Sequence, residues 1–271
     1  MTQTGEVLVT VATYNERDNL PELVAEIFRQ LPQADLLVVD DNSPDGTGAW
    51  CDEHARDEPR LRCLHRRGKL GLGTATIAAM KYAIEHGYRY MINMDADFSH
   101  PPQYLPALLA GMESADGHAA DVAIGSRYVP GGAIEGWPPL RHCMSRGVNL
   151  YARWLLGLKA RDCSGAYRCY RVERLRQLDF DQILSTGYSF QEEVLFHLQR
   201  LGCRFAEIPI VFVDRKRGQS KINLSEAFRA LGIIFLLAMR RLRPAKGRPA
   251  GAGTPGGSDA GGRPGRDEPA D

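Results

Sequence analysis

Unbroken apolar runs alternate along this chain with segments whose apolar residues recur every three or four positions. Val7–Ala12, Leu36–Val39, Leu61–His65, Tyr90–Met94 and Val122–Gly125 are short apolar or mixed runs, the mark of strands covered on both faces. Between them the pattern predicts helices. One opens at Asn19-Leu-Pro-Glu22, with a cap residue, a proline in the first turn and a reciprocal glutamate. Others run from the Ser43-Pro-Asp-Gly46 turn to about Arg56, over Thr74–His86 and over Pro102–Met112. This βαβα rhythm predicts an α/β fold: an open, mostly parallel sheet with helices on both faces. The second half is less regular. Helices are expected at Ser145–Leu156, Val172–Leu178, Phe190–Leu201 and Leu224–Leu242, with a strand near Arg204–Val213.

From Pro244 on, glycine, proline, alanine and aspartate dominate and no aromatic residue remains to seed a core. The expected organisation is therefore one catalytic-size domain over 1–243 and a disordered tail over 244–271. The most apolar run, Ala230–Met239, is half of the roughly 20 residues that span a bilayer. No transmembrane segment is expected, and the N-terminus has no basic stretch followed by an apolar one, so no secretory signal is visible.

Composition narrows the classes without choosing one. With 44% hydrophobic and 25% charged residues and a net charge of +1, nothing global points to nucleic acid. Charge is unevenly placed, however: Arg204–Arg248 holds eleven Lys/Arg against three Asp/Glu. That favours phosphates or an acidic lipid surface on this side, with a solvated basic face as the plain alternative. The six cysteines form no CxxC pair, which suits buried free thiols in a reducing compartment better than a zinc site or a disulfide framework. No Ser-His-Asp or Cys-His arrangement can be argued from the spacing.

In open α/β sheets ligands bind beyond the carboxyl ends of the strands. Three acidic groups fall at such ends: Glu16 after the first strand, Asp40-Asp41 after the second, and Asp95-Ala96-Asp97 after the fourth. Carboxylates gathered on one rim repel unless a cation joins them, and hard oxygen ligands select Mg2+ or Mn2+ together with substrate phosphates. An isolated Asp-x-Asp can equally cap a turn. Gly68-Lys-Leu-Gly71-Leu-Gly73 precedes a helix but follows the third strand and lacks the last glycine of a dinucleotide fingerprint. A phosphate-approaching turn and a purely structural helix start both stay open for it. Arg127, Arg141 and Ser145 offer donors to anionic oxygens, and Arg215 and Lys221 flank a glycine-hinged basic loop able to close over a ligand.

Taken together, Thr13-Tyr-Asn-Glu16, Val38-Val-Asp-Asp-Asn-Ser-Pro-Asp-Gly-Thr47, Gly71-Leu-Gly73, Met94-Asp-Ala-Asp-Phe-Ser-His-Pro101, Gly125-Ser-Arg-Tyr128, Ser145-Arg-Gly147 and Asp214-Arg215…Gly218-Gln-Ser-Lys221 resemble the dolichol-phosphate mannose synthases of glycosyltransferase family 2. The resemblance covers residues 6 to about 240. It implies a GT-A fold and inverting transfer of mannose from GDP-mannose to a polyprenyl monophosphate, with Mg2+ or Mn2+ as cofactor.

By position, the resemblance places Ala12, Tyr14, Glu16, Val39 and Asp41 around the nucleotide and Asp95, Ala96 and Asp97 at the metal and donor phosphates. Arg127, Arg141 and Ser145 fall at the acceptor phosphate and sugar, and Arg215 and Lys221 on the closing loop. It assigns catalysis to Asp95, Asp97, Arg127 and Arg215. Two positions depart from the family pattern. Ala12 stands where proline is usual, and Ser99 stands where some relatives have a metal-assisting glutamine, which opens a water-bridged contact for Ser99.

The implied setting is peripheral, on the cytoplasmic face of a membrane, with Leu224–Leu242 as a membrane-surface helix. A separate membrane-anchoring protein stays open as a partner. A phosphate monoester is largely dianionic at neutral pH, its second pKa being about 6, so the missing histidine base fits such an acceptor. The alternatives are a UDP-glucose-dependent relative and a nucleotide-sugar-binding module without turnover. A dehydrogenase is disfavoured by the misplaced glycines.

Overall fold

The computed structural model describes residues 5–113, 119–187, 189–214 and 224–241. Arg215, Lys221 and the tail expected over 244–271 lie outside them.

Among the described residues nine strands and eight α-helices follow in chain order: β1 (Val7–Thr13), α1 (Leu20–Gln30), β2 (Asp35–Asp40), α2 (Thr47–His54), β3 (Leu61–His65), α3 (Leu72–Glu85), β4 (Tyr90–Asp95), α4 (Leu105–Ala110), β5 (Val122–Ser126), β6 (Ala133–Glu135), α5 (Pro139–Leu156), β7 (Arg168–Arg171), α6 (Val172–Leu175), α7 (Phe190–Arg200), β8 (Phe205–Pro209), β9 (Val211–Val213) and α8 (Leu224–Arg241). The main sheet has the order β3-β2-β1-β4-β7-β5-β8. β7 is antiparallel to both its neighbours, and every other pairing in this sheet is parallel.

The pleat sorts the apolar residues into two cores. Val9 and Val11 of β1 join Val38, Ile92 and Met94 beneath α1, α2 and α4. Leu8 joins Leu37, Val39, Met91 and Ile124 beneath α3, α6, α7 and the inner faces of α5 and α8. Both faces are therefore covered, and the polar side chains inside β1 and β4, Thr10 and Asn93, hydrogen-bond each other.

The second half departs from expectation in three places. β7 is Arg168-Cys-Tyr-Arg171, flanked by arginines, yet Arg168 is wholly buried and donates to the carbonyls of Gln191 and Cys163. The expected 204–213 strand is split between β8, on the main sheet, and β9, which pairs with β6 in a separate two-stranded sheet. α5 starts at Pro139, six residues ahead of expectation, because proline is tolerated in the first turn where its missing N–H costs nothing.

All six cysteines are free thiols; Cys51, Cys163, Cys169 and Cys203 are buried and Cys143 is exposed. Among the described residues no helix is long and apolar enough to cross a membrane.

Candidate active site

The sheet order reverses between β1 and β4, since β1, β2 and β3 step outward one way and β4 lies on the other side. Such a switch point opens a crevice at the carboxyl ends of the strands. Register makes those ends level: Thr13 is opposite Asp40, Ala12 opposite Asp95, and Asp40 opposite His65. Among the described residues, the three non-glycine residues with positive φ, Asn15, Asn42 and Phe98, follow β1, β2 and β4 in turn. Asparagine tolerates this conformation and phenylalanine does not, so local backbone strain is concentrated on one rim.

Asp40 and Asp41 divide their work. Asp40 accepts from Thr13 Oγ1 at 2.9 Å and from the backbone N–H of Ser43 at 3.0 Å, closing the turn after β2. Asp41 accepts from Arg66, whose other guanidinium nitrogen donates to Thr74 at 2.6 Å. Burial pushes the Asp41 carboxyl above its usual pKa, and Arg66 pulls the other way. Arg66 was not singled out from the sequence. Its signal is its place just past β3, level with the other strand ends.

Tyr14 stands at the mouth with the Lys69 ammonium 4.5 Å from its ring centre. Glu16 donates its backbone N–H to Thr47 and accepts from Asn19 Nδ2 at 2.7 Å. Val39 and Ala96 are buried in the two cores. Their side chains support the rim from beneath.

The loop after β4 presents Asp95, Asp97 and Ser99. The Asp97 carboxylate accepts the Ser99 backbone N–H at 3.1 Å, which orients it. The Asp95 backbone N–H donates to His100 Nδ1 at 3.1 Å. His100 is fully buried, and that burial lowers its pKa against the opposing pull of Asp95, so the ring is neutral. With its Nδ1 engaged, His100 serves as a strut. Ser99 Oγ is buried with no hydrogen-bond partner. Two carboxylates and an orphaned hydroxyl form a hard, all-oxygen donor set, which fits Mg2+ or Mn2+.

Across the crevice the expected acceptor residues come together. Arg127 donates to both Asp162 oxygens at 2.7 Å and to Ser164 at 2.9 Å. Burial opposes the charge of each partner, and their mutual attraction prevails, raising the arginine and lowering the aspartate. The Arg127 guanidinium is thus held in a buried fork with Asp162 while still lining the cavity beside it. Arg141 pairs with Asp214 at 3.0 Å and covers the Trp137 ring at 4.0 Å, while Ser145 Oγ meets the Tyr128 hydroxyl at 2.7 Å. Asn149 ties this helix to the 162–164 loop through Ser164 and the Cys163 N–H.

Beside these residues opens a cavity of about 450 Å3 whose lining includes Arg127, Arg146, Asn149, Arg153 and Arg161, with no acidic side chain. An aromatic chain joins the two halves. His100 lies 5.4 Å from Phe212 and Phe212 lies 5.4 Å from Trp137, ring centre to ring centre. The Val213 N–H also donates to the Ser99 carbonyl. Arg127, which lines the cavity, has its guanidinium carbon 5.5 Å from the Phe212 ring centre and 5.8 Å from that of Trp137, so the acidic loop and the arginine cavity adjoin.

Glu192 is a further residue that sequence reasoning missed. It is fully buried at the start of α7, and burial raises its carboxyl to about 7, countered by Arg168 and Arg127. The available signal was Gln191-Glu192-Glu193, three polar residues inside a helical turn buried on all sides. Gly71-Leu-Gly73 has a packing role. A Cβ on Gly71 would meet the Thr186 carbonyl at 2.5 Å and one on Gly73 the Phe190 ring at 2.8 Å, so the pair lets α3 abut the segment leading into α7.

Residues 8–179 match the family described as glycosyl transferase family 2. The chain is 45% identical over 217 residues to the undecaprenyl-phosphate mannosyltransferase of Micrococcus luteus, covering 80% of this chain and 87% of that one. It is 43% identical over 228 residues to the polyprenol monophosphomannose synthase of Mycolicibacterium smegmatis, covering 83% and 84%. Among solved structures, a mannosyltransferase from Pyrobaculum calidifontis in complex with GDP-Man and Mn2+ superposes with a TM-score of 0.56 at 16% identity, over 92% of this chain and 67% of that one. Glucosyl-3-phosphoglycerate synthase from Mycobacterium tuberculosis, in complex with Mn2+, UDP and phosphoglyceric acid, superposes at 0.62 and 18% identity, over 90% and 81%. These likenesses bear out the GT-A fold expected from the sequence.

Proposed function

The chain belongs to glycosyl transferase family 2, and on that premise we propose that it moves mannose from GDP-mannose to a polyprenyl monophosphate with inversion. The observation that carries this reading is the continuity of the acidic Asp95–Asp97 loop with the arginine-lined cavity through His100, Phe212 and Trp137. Nucleotide-sugar chemistry needs the first half, and an anionic acceptor needs the second. The mannosyl relatives favour mannose and a polyprenyl phosphate over other sugars and acceptors.

In this reading Asp95, Asp97 and Ser99 hold Mg2+ or Mn2+, which when bound supplies Lewis acidity to the departing diphosphate. Asp41 and Arg66 border the nucleoside pocket, with Tyr14 at its mouth. Arg146, Arg153 and Arg161 draw the acceptor phosphate into the cavity, while Arg127 and Asp162 keep its wall rigid. An acceptor oxygen forms the new bond to the anomeric carbon as the bond from that carbon to the GDP oxygen breaks. The acceptor is already a dianion, so no proton needs removing, in keeping with His100 serving as a neutral strut.

The membrane-facing side is proposed to be the outer surface of α5 and α8. Trp154 is 77%, Leu140 71% and Leu150 66% exposed on α5, and Phe235 is 55% exposed on α8. The two helices pack together, and Arg146 and Arg153 flank the apolar residues of α5. Apolar side chains ringed by arginine suit an anionic lipid surface. The free thiols support a reducing, cytoplasmic face.

A thermal-shift panel with Mn2+ tests the donor assignment. GDP and GDP-mannose should raise the melting temperature more than UDP, UDP-glucose or NAD at equal concentration. Stabilisation by UDP-glucose over GDP-mannose would replace mannose by glucose in this account.

A further inference from the structure

The outer edge of the main sheet carries a second constellation, which the spacing along the chain conceals. Cys63 and His65 are two apart on β3 and so project from one face, the face on which α2 packs. His65 Nε2 lies 2.9 and 3.0 Å from the two oxygens of Asp52 on α2, and Cys63 Sγ lies 4.0 Å from His65 Nδ1. One donor atom from each of the three residues lies within 4.8 Å of the others. Cys51 lies on the buried side of α2. Gly48 leaves room for the imidazole, since a Cβ there would stand 2.9 Å from His65 Cε1.

One thiol, one imidazole and one carboxylate, drawn together from a strand and the helix packed on it, make a mixed sulfur, nitrogen and oxygen donor set close enough to share one ion. We propose that Asp52, Cys63 and His65 bind a borderline-soft divalent cation of the zinc type, at a site distinct from the hard-oxygen site of Asp95 and Asp97. One sulfur, one nitrogen and one oxygen donor match zinc preference, whereas Mg2+ takes oxygen. Asp52 and His65 are half exposed, at 54% and 50%, so water reaches the fourth position.

Binding forms the metal–sulfur bond and releases the thiol proton to solvent. The cation would clip α2 to β3 directly behind Arg66, the residue that holds Asp41. One chain would then carry two cation sites of opposite hardness.

Cobalt(II) added to the reduced full-length protein tests this optically. One equivalent should produce a near-ultraviolet thiolate-to-cobalt charge-transfer band, displaced by Zn2+ and untouched by excess Mg2+. Cys63→Ser and His65→Ala should abolish the band. Asp52→Asn, a change on the surface that leaves both cores intact, should weaken cobalt binding at least about tenfold. The proposal is overturned if the wild type gives no such band, if the band persists in Cys63→Ser, or if Asp52→Asn binds cobalt as tightly as wild type.

Discussion

At the scale of single residues the account rests first on Asp97, whose carboxylate is oriented by the Ser99 N–H. Asp97→Ala should lower mannosyl transfer at least about 100-fold while the circular dichroism spectrum stays that of wild type. Turnover near the wild-type rate would remove Asp97 from the metal. Arg127 should behave differently. Removing it leaves Asp162 buried and uncompensated, so Arg127→Ala should cost roughly 3–5 kcal/mol of stability in urea denaturation. A loss of activity with unchanged stability would return Arg127 to direct substrate contact.

Glu192 carries a pH signature. Its folded pKa, about 7, lies above the unfolded value, so its protonated form favours the fold below the unfolded pKa. That stability is lost as pH rises toward 7. Glu192→Gln, which mimics the protonated form, should therefore gain on wild type between pH 5 and 7, by at most about 3 kcal/mol, and level off above. Melting curves at a series of pH values check this, and a constant difference would mean that Glu192 does not titrate there. The acids at strand ends were legible because each follows a run that can only be a buried strand. Which of Asp40 and Asp41 closes the turn was not, because that depends on partners 25 or more residues away, Thr13 and Arg66.

At the scale of elements, α8 shows why a stripe of apolar residues is ambiguous. Ile234 and Leu237 are buried against the core, while Phe235, Leu236 and Met239 are exposed, so one helix packs inward and still presents an apolar outer face. Phe235 and Met239, four apart, share that outer face, and the inward contacts come from neighbours that spacing does not reveal. Likewise β7 hid behind two arginines, because burial of Arg168 depends on carbonyls supplied by Cys163 and Gln191. The element-level test is co-sedimentation with vesicles. The protein should bind anionic vesicles at low salt and release at high salt, and Trp154→Ser with Phe235→Ser should weaken binding at least several-fold. If wild type remains in the supernatant with every vesicle, including those carrying polyprenyl phosphate, α5 and α8 face water.

Over the whole molecule, the first half was legible nearly element by element because parallel strands and crossover helices leave their periods in the sequence. The second half closes the site with an antiparallel strand, a small second sheet and a chain of rings from His100 to Trp137. These contacts join residues distant in sequence, so no local pattern announces them. Their effect is to bring the acidic rim and the arginine cavity side by side. The direct test is to incubate the full-length protein with radiolabelled GDP-mannose, a polyprenyl phosphate and Mn2+, and to follow label into the organic phase. The account predicts one labelled lipid, acid-labile as a glycosyl phosphate is, formed only when the cation and the acceptor are both present. Label that stays in the aqueous phase under every condition, or reaches lipid equally well without the cation, would contradict it.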